Sequence, residues 1–127
     1  MENCRVVLVD DEAEFVETVA ERLALRGFDV RHFTDGHQAM EAIEEDPPDV
    51  AVFDLMMPGL GGLDLLEQVV KKRLPVQVIL LTGRGSTREG IEGMRMGAYD
   101  YLMKPLQIEE LVEKLEAAAG AEAGEGK

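Results

Sequence analysis

Apolar residues in this chain fall into short runs that alternate with longer segments of mixed character. The runs are rich in β-branched residues and cover residues 6–9, 50–53, 76–81 and 99–103, with a weaker run at 28–33. Nearly continuous apolar runs of this length are typical of strands in a parallel sheet that is covered on both faces. The pattern therefore predicts five buried strands.

The segments between these runs repeat their apolar residues at helical spacing, which predicts helices with one buried face. The predicted buried faces are Phe15, Val16, Val19, Ala20 and Leu23 in the first helix, Ala39, Met40, Ala42 and Ile43 in the second, Leu63, Leu65, Leu66, Val69 and Val70 in the third, and Ile108, Leu111, Val112 and Leu115 in the fifth. A fourth helix is indicated by Ser86-Thr87-Arg88-Glu89, whose spacing fits a capping box at a helix start.

Glycine and proline residues mark the ends of these helices. Gly27 can close the first helix in a left-handed conformation, and Asp46-Pro47-Pro48 stops the second. The fourth helix contains Gly90, Gly93 and Gly97. Because an interior glycine costs about 1 kcal/mol relative to alanine, we expect this helix to be only marginally stable.

A chain of 127 residues lies in the size range of one domain, with no room for a second catalytic domain. Five repeats of strand and helix, joined by right-handed crossovers, predict an α/β fold with a doubly wound five-stranded parallel sheet. We expect the strand order 2-1-3-4-5. After Leu115 the sequence is too poor in large apolar groups to pack, so we expect it to fray. The predicted domain covers residues 1–119, and residues 120–127 form a flexible acidic tail.

The charge of the chain narrows the classes of partner. It has 26 acidic and 13 basic residues, which give a formal net charge of −13. Such a surface repels phosphate backbones and anionic lipid heads, so we expect no direct binding to nucleic acid or membrane. No apolar run approaches the ~20 residues of a membrane helix, and we expect a cytoplasmic protein. Cys4 is the one cysteine, which excludes an internal disulfide.

Polar side chains follow four of the predicted strands. Asp10 and Asp11 follow the first strand, Asp54 the third, Thr82 the fourth and Lys104 the fifth. In an open parallel sheet, ligands bind beyond the carboxyl ends of the strands, near the point where the strand order reverses. The coincidence of these positions predicts a functional site at that edge of the sheet.

Three carboxylates at close range would repel one another unless a cation joined them. With no cysteine or histidine nearby, Asp10, Asp11 and Asp54 suit Mg²⁺, which accepts few protein ligands and keeps several waters. A structural alternative is that Asp10 or Asp11 caps the first helix, with Glu14 completing a capping box. That alternative does not account for Asp54, which precedes a loop.

Lys104 and Thr82 would add an ammonium group and a hydroxyl to the same edge. Together with a metal ion, these groups could receive a phosphoryl group, and a carboxylate can itself be the acceptor. Alternatively, Lys104 only neutralises the acidic cluster, and Thr82 is a turn residue before Gly83.

The motifs around these positions resemble the receiver domain of two-component response regulators over roughly residues 4–118. The matching segments are Asp10-Asp11, Asp54-Leu55-Met56-Met57-Pro58-Gly59-Leu60-Gly61-Gly62, Leu81-Thr82-Gly83 and Gly97-Ala98-Tyr99-Asp100-Tyr101-Leu102-Met103-Lys104-Pro105. The resemblance implies the flavodoxin-like receiver fold. The strand order given above is that of this fold and is not independent of the resemblance.

The resemblance implies a role for each site residue. Asp54 would accept a phosphoryl group from the phosphohistidine of a sensor histidine kinase or a phosphotransfer protein. Asp11, Asp54 and the backbone carbonyl of Met56 would hold Mg²⁺, and Asp10 would act through a coordinated water. Lys104 would pair with the phosphoryl oxygens.

The resemblance also implies a conformational switch. Thr82 would hydrogen-bond the phosphoryl group, Tyr101 would move inward in response, and the peptide bond before Pro105 would be cis. Met56 and Arg84 occupy positions that govern the lifetime of the phosphorylated form.

The resemblance further implies a downstream effector protein that reads the switch. We expect an output surface on the fourth helix, with Arg84, Arg88, Arg95, Met94 and Met96. A dimer could form through the fourth helix, the fifth strand and the fifth helix.

Two other functions compete with this interpretation. A magnesium phosphatase with an aspartyl intermediate would carry an Asp-x-Asp-x-Thr pattern, which the segment after Asp54 lacks. A scaffold that is never phosphorylated would not need the complete set of acids, Thr82 and Lys104. The glycine-rich run after Leu81 is closer to receivers that precede transcriptional ATPase modules than to the chemotaxis type.

Overall fold

The computed structural model describes residues 4–83 and 85–121 of the chain. Strands and helices alternate along it. Their bounds are β1 Arg5–Val9, α1 Ala13–Leu25, β2 Asp29–Phe33, α2 Gly36–Glu45, β3 Val50–Asp54, α3 Gly62–Lys71, β4 Gln77–Thr82, α4 Thr87–Met96, β5 Asp100–Met103 and α5 Ile108–Gly120. Within the described ranges, no helix is both long enough and apolar enough to cross a lipid bilayer.

The five strands form one parallel sheet in the order β2-β1-β3-β4-β5, which confirms the predicted fold class and strand order. Successive side chains of the central strands point to opposite faces of the sheet. In β1, for example, Val6 and Leu8 enter one hydrophobic cluster and Val7 and Val9 enter the other. All four side chains are fully buried. The central strands are therefore fixed by packing from both sides.

The helices cover both faces of the sheet, as the apolar spacing predicted. Helices α1 and α5 pack on one face, and α2 and α3 on the other, where residues at the end of α4 join them. Most of the predicted core residues are buried, but Val70 was assigned wrongly because its side chain is 48% exposed. Burial raises the pKa of the Cys4 thiol to about 11, which fits a packing residue.

The end of α5 corrects one expectation. The chain does not fray directly after Leu115, because the helix continues to Gly120. Ala118 is fully buried in the same cluster as Leu111 and Leu115, so a small residue at helical spacing packs where a large one was thought necessary. Residues 122–127, which include most of the predicted acidic tail, lie outside the described part, and so does Arg84.

The start of α4 corrects a second expectation. Ser86 is the N-cap residue, but its side chain makes no capping bond to the helix, so the predicted capping box is wrong. The Ser86 hydroxyl instead accepts from the backbone N–H of Gly83 and donates to the Gly83 carbonyl, each over 2.8 Å. This hydroxyl therefore closes the β4–α4 loop and does not satisfy the first turn of the helix.

Two glycines of α4 let the helix approach the sheet closely. A Cβ atom on Gly93 would lie 2.1 Å from Cδ1 of Leu80, and one on Gly90 would lie 3.1 Å from Cγ2 of Thr82. Gly97 is not interior but caps the helix at a φ of 120°. The glycine content thus serves packing as well as lowering helix propensity.

We predict that Gly93→Ala destabilises the domain although alanine is the better helix former. The added methyl group must displace Leu80, and overpacking a core costs about 1–3 kcal/mol. Urea denaturation measures the change in the free energy of unfolding.

The matched control is Gly120→Ala in α5, where an added Cβ meets no atom within 4 Å. This variant should be as stable as the wild type or slightly more stable. A Gly93→Ala protein that gained stability in the same way would contradict the close approach of α4.

Candidate functional site

Three aspartates meet at the carboxyl edge of the sheet. Asp10 and Asp11 follow β1 directly, and Asp54 is the last residue of β3. One carboxylate oxygen from each lies within 4.8 Å of the others. Asp10 is fully buried, Asp54 is 5% exposed, and Asp11 is exposed to solvent. The site thus has two acids enclosed by protein and one at its mouth.

Lys104 brings a positive charge to these acids. Its backbone follows β5, where its N–H donates to the Thr82 carbonyl over 2.8 Å. The ammonium nitrogen Nζ lies 2.7 Å from Oδ2 of Asp10 and 3.7 Å from Oδ1 of Asp54. Glu12, at 3.6 Å, is a third carboxylate beside it. The peptide bond between Lys104 and Pro105 is cis.

The surroundings of the two buried acids disfavour their ionised forms. Burial raises the pKa of Asp10, although hydrogen bonds from Lys104 and from the Glu12 N–H work against the rise. Burial and the charge of Asp10 together raise the pKa of Asp54, which Lys104 also opposes. One ammonium group is therefore too little positive charge for this cluster, and an added cation would favour ionisation of both acids.

Lys104 responds to the same charges. Burial works to lower the pKa of Lys104, but the hydrogen bond to Asp10 and the charges of Asp10, Asp54 and Glu12 outweigh burial and raise this pKa. The lysine is accordingly held in its charged form. The ion pairs of Lys104 neutralise the acidic cluster only in part, because the pKa values of Asp10 and Asp54 stay raised.

The donor set fits a hard divalent cation. It consists of carboxylates, with no histidine or cysteine in the cluster, and Mg²⁺ prefers such oxygen ligands. Met56, two residues beyond Asp54, donates its N–H to Oδ1 of Asp54 over 3.5 Å and is 63% exposed. The role of its carbonyl as a metal ligand stays a prediction.

The alternative role of the first two aspartates as helix caps does not match α1. The N-cap residue of that helix is Glu12, and it makes no side-chain capping bond. Asp10 instead accepts the N–H of Glu12 over 3.0 Å with one carboxylate oxygen and binds Lys104 with the other. Asp10 is therefore oriented by the turn that leads into the helix, with its second oxygen directed at the lysine.

Thr82 and Tyr101 lie side by side next to the acidic cluster. Thr82 is 1% exposed, and its hydroxyl donates to the Leu102 carbonyl over 3.4 Å, a long hydrogen bond. Tyr101 is half-buried and packs against the cluster beneath α3 and α4. A Cβ on Gly90 would lie 3.6 Å from Cγ of the Tyr101 ring and 3.1 Å from Thr82. A movement of Thr82 would therefore change the space available to both Tyr101 and α4.

Two neighbours of Lys104 were not predicted as site residues. Glu12 follows the aspartate pair directly and could have been found from that position. Phe15 was assigned to the core of the first helix, yet its ring also lies under the ammonium of Lys104, 4.6 Å from Nζ to the ring centroid. Helical spacing alone does not distinguish these two roles.

Comparison with known proteins identifies the fold and the family. A family model for the response regulator receiver domain matches residues 6–116. The receiver domain of the Francisella response regulator 1452 superposes with a TM-score of 0.86 at 33% identity, over 92% of this chain and 97% of that one. FixJ-N superposes with a TM-score of 0.87 at 28% identity, over 94% and 95%.

Two similar proteins are longer than this chain. QseB, a transcriptional regulatory protein of Escherichia coli O157:H7, is 37% identical over 113 residues, which cover 89% of this chain and 52% of QseB. The DNA-binding response regulator MtrA of Mycobacterium tuberculosis is also 37% identical over 113 residues, or 89% of this chain and 49% of MtrA. The chain spans about half the length of these relatives. By its family match and its fold, the chain belongs to the receiver domains of two-component response regulators, a family of signalling domains.

Proposed function

We propose that Asp54 accepts a phosphoryl group from the phosphohistidine of a sensor histidine kinase or a phosphotransfer protein, in a reaction that requires Mg²⁺. The observation that carries this proposal is the meeting of three aspartates and Lys104 at one edge of the sheet, with Nζ of Lys104 3.7 Å from Asp54. Membership of the receiver family supports it.

In the transfer, a carboxylate oxygen of Asp54 attacks phosphorus, the N–P bond of the donor breaks, and the departing imidazole nitrogen keeps the electron pair. Asp11, Asp54 and the Met56 carbonyl would hold Mg²⁺, with Asp10 acting through a coordinated water, and the ion would supply positive charge for the phosphoryl oxygens. The ammonium of Lys104 has three N–H donors. One of them binds Asp10, so others are available to a phosphoryl oxygen on Asp54.

Thr82 would link this reaction to a change of shape. Its hydroxyl makes only a long bond to the Leu102 carbonyl, so little is lost when it turns to a phosphoryl oxygen. Because a Cβ atom on Gly90 would lie 3.1 Å from Thr82 and 3.6 Å from the Tyr101 ring, the turn would free space for Tyr101 to move inward and would change the packing of α4. Phosphorylation would thus favour one of two arrangements of α4 and β5.

We place the output surface on the outer side of α4 and β5. Ile91, Met94 and Met103 are 47%, 39% and 51% exposed, and Arg88 and Arg95 of α4 are exposed as well. Exposed apolar residues in one region are typical of protein contacts. Met96 is not part of this surface, because it packs against the core.

The output surface would meet a downstream effector or a second receiver. A dimer through α4, β5 and α5 would use this surface. Within one chain, the ion pair of Lys114 with Asp100, at 2.5 Å, joins α5 to β5. The relative MtrA is named as a DNA-binding response regulator. For the residues of this chain, the net charge of −13 supports no direct contact with nucleic acid or membrane. We propose the cytoplasm as its location, as for receivers in general.

The kinase or phosphotransfer protein would dock in the groove between α1 and the start of α5. Phe15, Val19, Leu106 and Ile108 form its apolar lining, and the acidic side chains Glu12, Glu14 and Glu109 flank them. The groove borders the acidic cluster, because Glu12 lies 3.6 Å from Lys104. A partner with an apolar ridge and basic neighbours would fit it and present its histidine to Asp54.

We predict that the intact mass rises by one phosphoryl group when the protein is incubated with acetyl phosphate and Mg²⁺. Chelation of the metal and the variant Asp54→Asn should each abolish the gain, because the first removes charge compensation and the second removes the nucleophile. Asp29→Asn, an exposed acid at the opposite edge of the sheet, is the control and should react like the wild type. Uptake that persisted in Asp54→Asn would contradict the assignment.

We predict that Asp54→Asn stabilises the metal-free domain at neutral pH, on the order of 1 kcal/mol, the usual size of a single-substitution effect. A carboxyl with a raised pKa in the folded state contributes stability below its ordinary pKa and loses it as pH rises through the raised pKa. The gain of the variant should therefore shrink towards pH 4. Thermal unfolding across pH measures it.

Added Mg²⁺ should reverse this order. Because the metal binds the folded wild type, it should raise the melting temperature of the wild type more than that of Asp54→Asn. An equal effect of Mg²⁺ on both proteins would show that Asp54 is not a ligand.

We predict that beryllofluoride with Mg²⁺, which mimics a phosphoryl group on an aspartate, changes amide hydrogen exchange in Thr87–Met96 and Asp100–Met103. Helix α2, Gly36–Glu45, packs on β1, β2 and α3 and serves as the internal control. Thr82→Val keeps the shape but lacks the hydroxyl, so its α4 should respond less. Unchanged exchange in α4 of the wild type would exclude the proposed switch.

A further inference from the structure

The ammonium of Lys104 has two different kinds of neighbour. On one side are the carboxylates of Asp10, Asp54 and Glu12, between 2.7 and 3.7 Å from Nζ. On another is the aromatic ring of Phe15, with 4.6 Å between Nζ and the ring centroid. A cation within about 6 Å of a ring centroid, over its face, is attracted by the negative charge of that face.

The position of the Phe15 ring is set by its helix and by the core that it packs against. Phe15 belongs to the first turn of α1, is half-buried, and packs against the hydrophobic cluster between this helix, the sheet and α5. The side chain of Lys104 is only 23% exposed, so water competes weakly for its charge. Such partial desolvation strengthens a cation–π contact.

The carboxylates and the ring differ in what happens when a cation arrives. Asp10 and Asp54 are both partners of Lys104 and members of the proposed metal site. A divalent cation would neutralise part of their charge and so weaken their hold on the ammonium. Phe15 offers no oxygen to a metal ion, so its attraction for Lys104 persists. The attraction to a ring face also does not require any one N–H bond of the ammonium group to point in a particular direction. The ammonium group can therefore still rotate.

We propose that Phe15 is a positioning residue for phosphoryl transfer: its ring keeps Lys104 directed at Asp54 while the metal occupies the carboxylates. This inference rests on the proposed function, since it concerns the same lysine and the same acceptor. It assigns to a residue of the α1 face a role beyond packing and partner docking.

The first test observes the contact without any phosphorylation. Protons over a ring face are shifted upfield in NMR spectra, and the chain has five lysines, so isotope labelling of lysine resolves the ε-methylene signal of Lys104. This signal should be shifted upfield both without and with Mg²⁺. Phe15→Leu should lose the shift and Phe15→Tyr should keep it. A shift that vanished in the wild type on adding Mg²⁺ would overturn the inference.

The second test measures the rate of phosphorylation by acetyl phosphate, a donor too small to use the docking groove. Phe15→Leu should slow the reaction by roughly 2- to 30-fold, the range that cation–π energies imply. Phe15→Tyr should stay within about 2-fold of the wild type. The matched control is Phe28→Leu, the same change in the same hydrophobic cluster but at the opposite end of the sheet, and it should leave the rate unchanged.

The outcomes separate this inference from the function on which it rests. A wild-type protein that takes up no phosphoryl group contradicts the proposed function itself. Phosphorylation of Phe15→Leu at the wild-type rate contradicts only the role of Phe15. An equal slowing in Phe28→Leu does the same, because it would reduce the effect to general loss of packing.

Discussion

The site depends on the contact between Lys104 and two carboxylates that the fold has buried. Asp10 and Asp54 have little water around them, and burial raises the pKa of each. Lys104 offsets part of this penalty through a 2.7 Å bond to Asp10 and a longer approach of 3.7 Å to Asp54. The balance leaves the cluster short of positive charge. A cation that binds there is stabilised by the negative charge of the carboxylates. The positive charges of this cation and of Lys104 can then stabilise phosphoryl oxygens.

The parallel sheet makes this crowding unavoidable. Every strand of a parallel sheet ends at the same edge, so the residues that follow β1, β3, β4 and β5 are brought together whatever their chemistry. The register places Asp54 opposite Leu81 and Thr82 opposite Met103, which sets the acids, the hydroxyl and Lys104 side by side. Core packing on both faces fixes the central strands. Helix α4 lies close to the same sheet, because a Cβ atom on Gly93 would lie 2.1 Å from Leu80 and one on Gly90 would lie 3.1 Å from Thr82.

Much of this structure could be predicted from sequence, because continuous apolar runs and helical spacing report burial directly. The strands and the acids at their ends follow from those patterns, and the strand ends differ by at most one residue. The strand order rests in addition on the resemblance to the receiver fold. The remainder depends on three-dimensional neighbours. Ala118 packs only because α5 lies over the sheet, and Ser86 bonds Gly83 because the loop folds back. Phe15 has the spacing of a core residue, and its contact with Lys104 exists only after β5 and α1 meet.

Lys104 also connects the charge of the site to Thr82, the residue next to α4. Its backbone N–H donates to the Thr82 carbonyl over 2.8 Å, so the lysine and the threonine are held at adjacent strand ends. The hydroxyl of Thr82, in contrast, is bound over 3.4 Å, and its methyl group lies against Gly90. The backbone hydrogen bond between Lys104 and Thr82 is thus short, whereas the side-chain hydrogen bond of Thr82 is long and weak. A phosphoryl group that binds both Lys104 and Thr82 would leave the strands in place and turn the threonine side chain. We expect this turn to change the packing of α4, because a Cβ atom on Gly90 would lie only 3.1 Å from Cγ2 of Thr82.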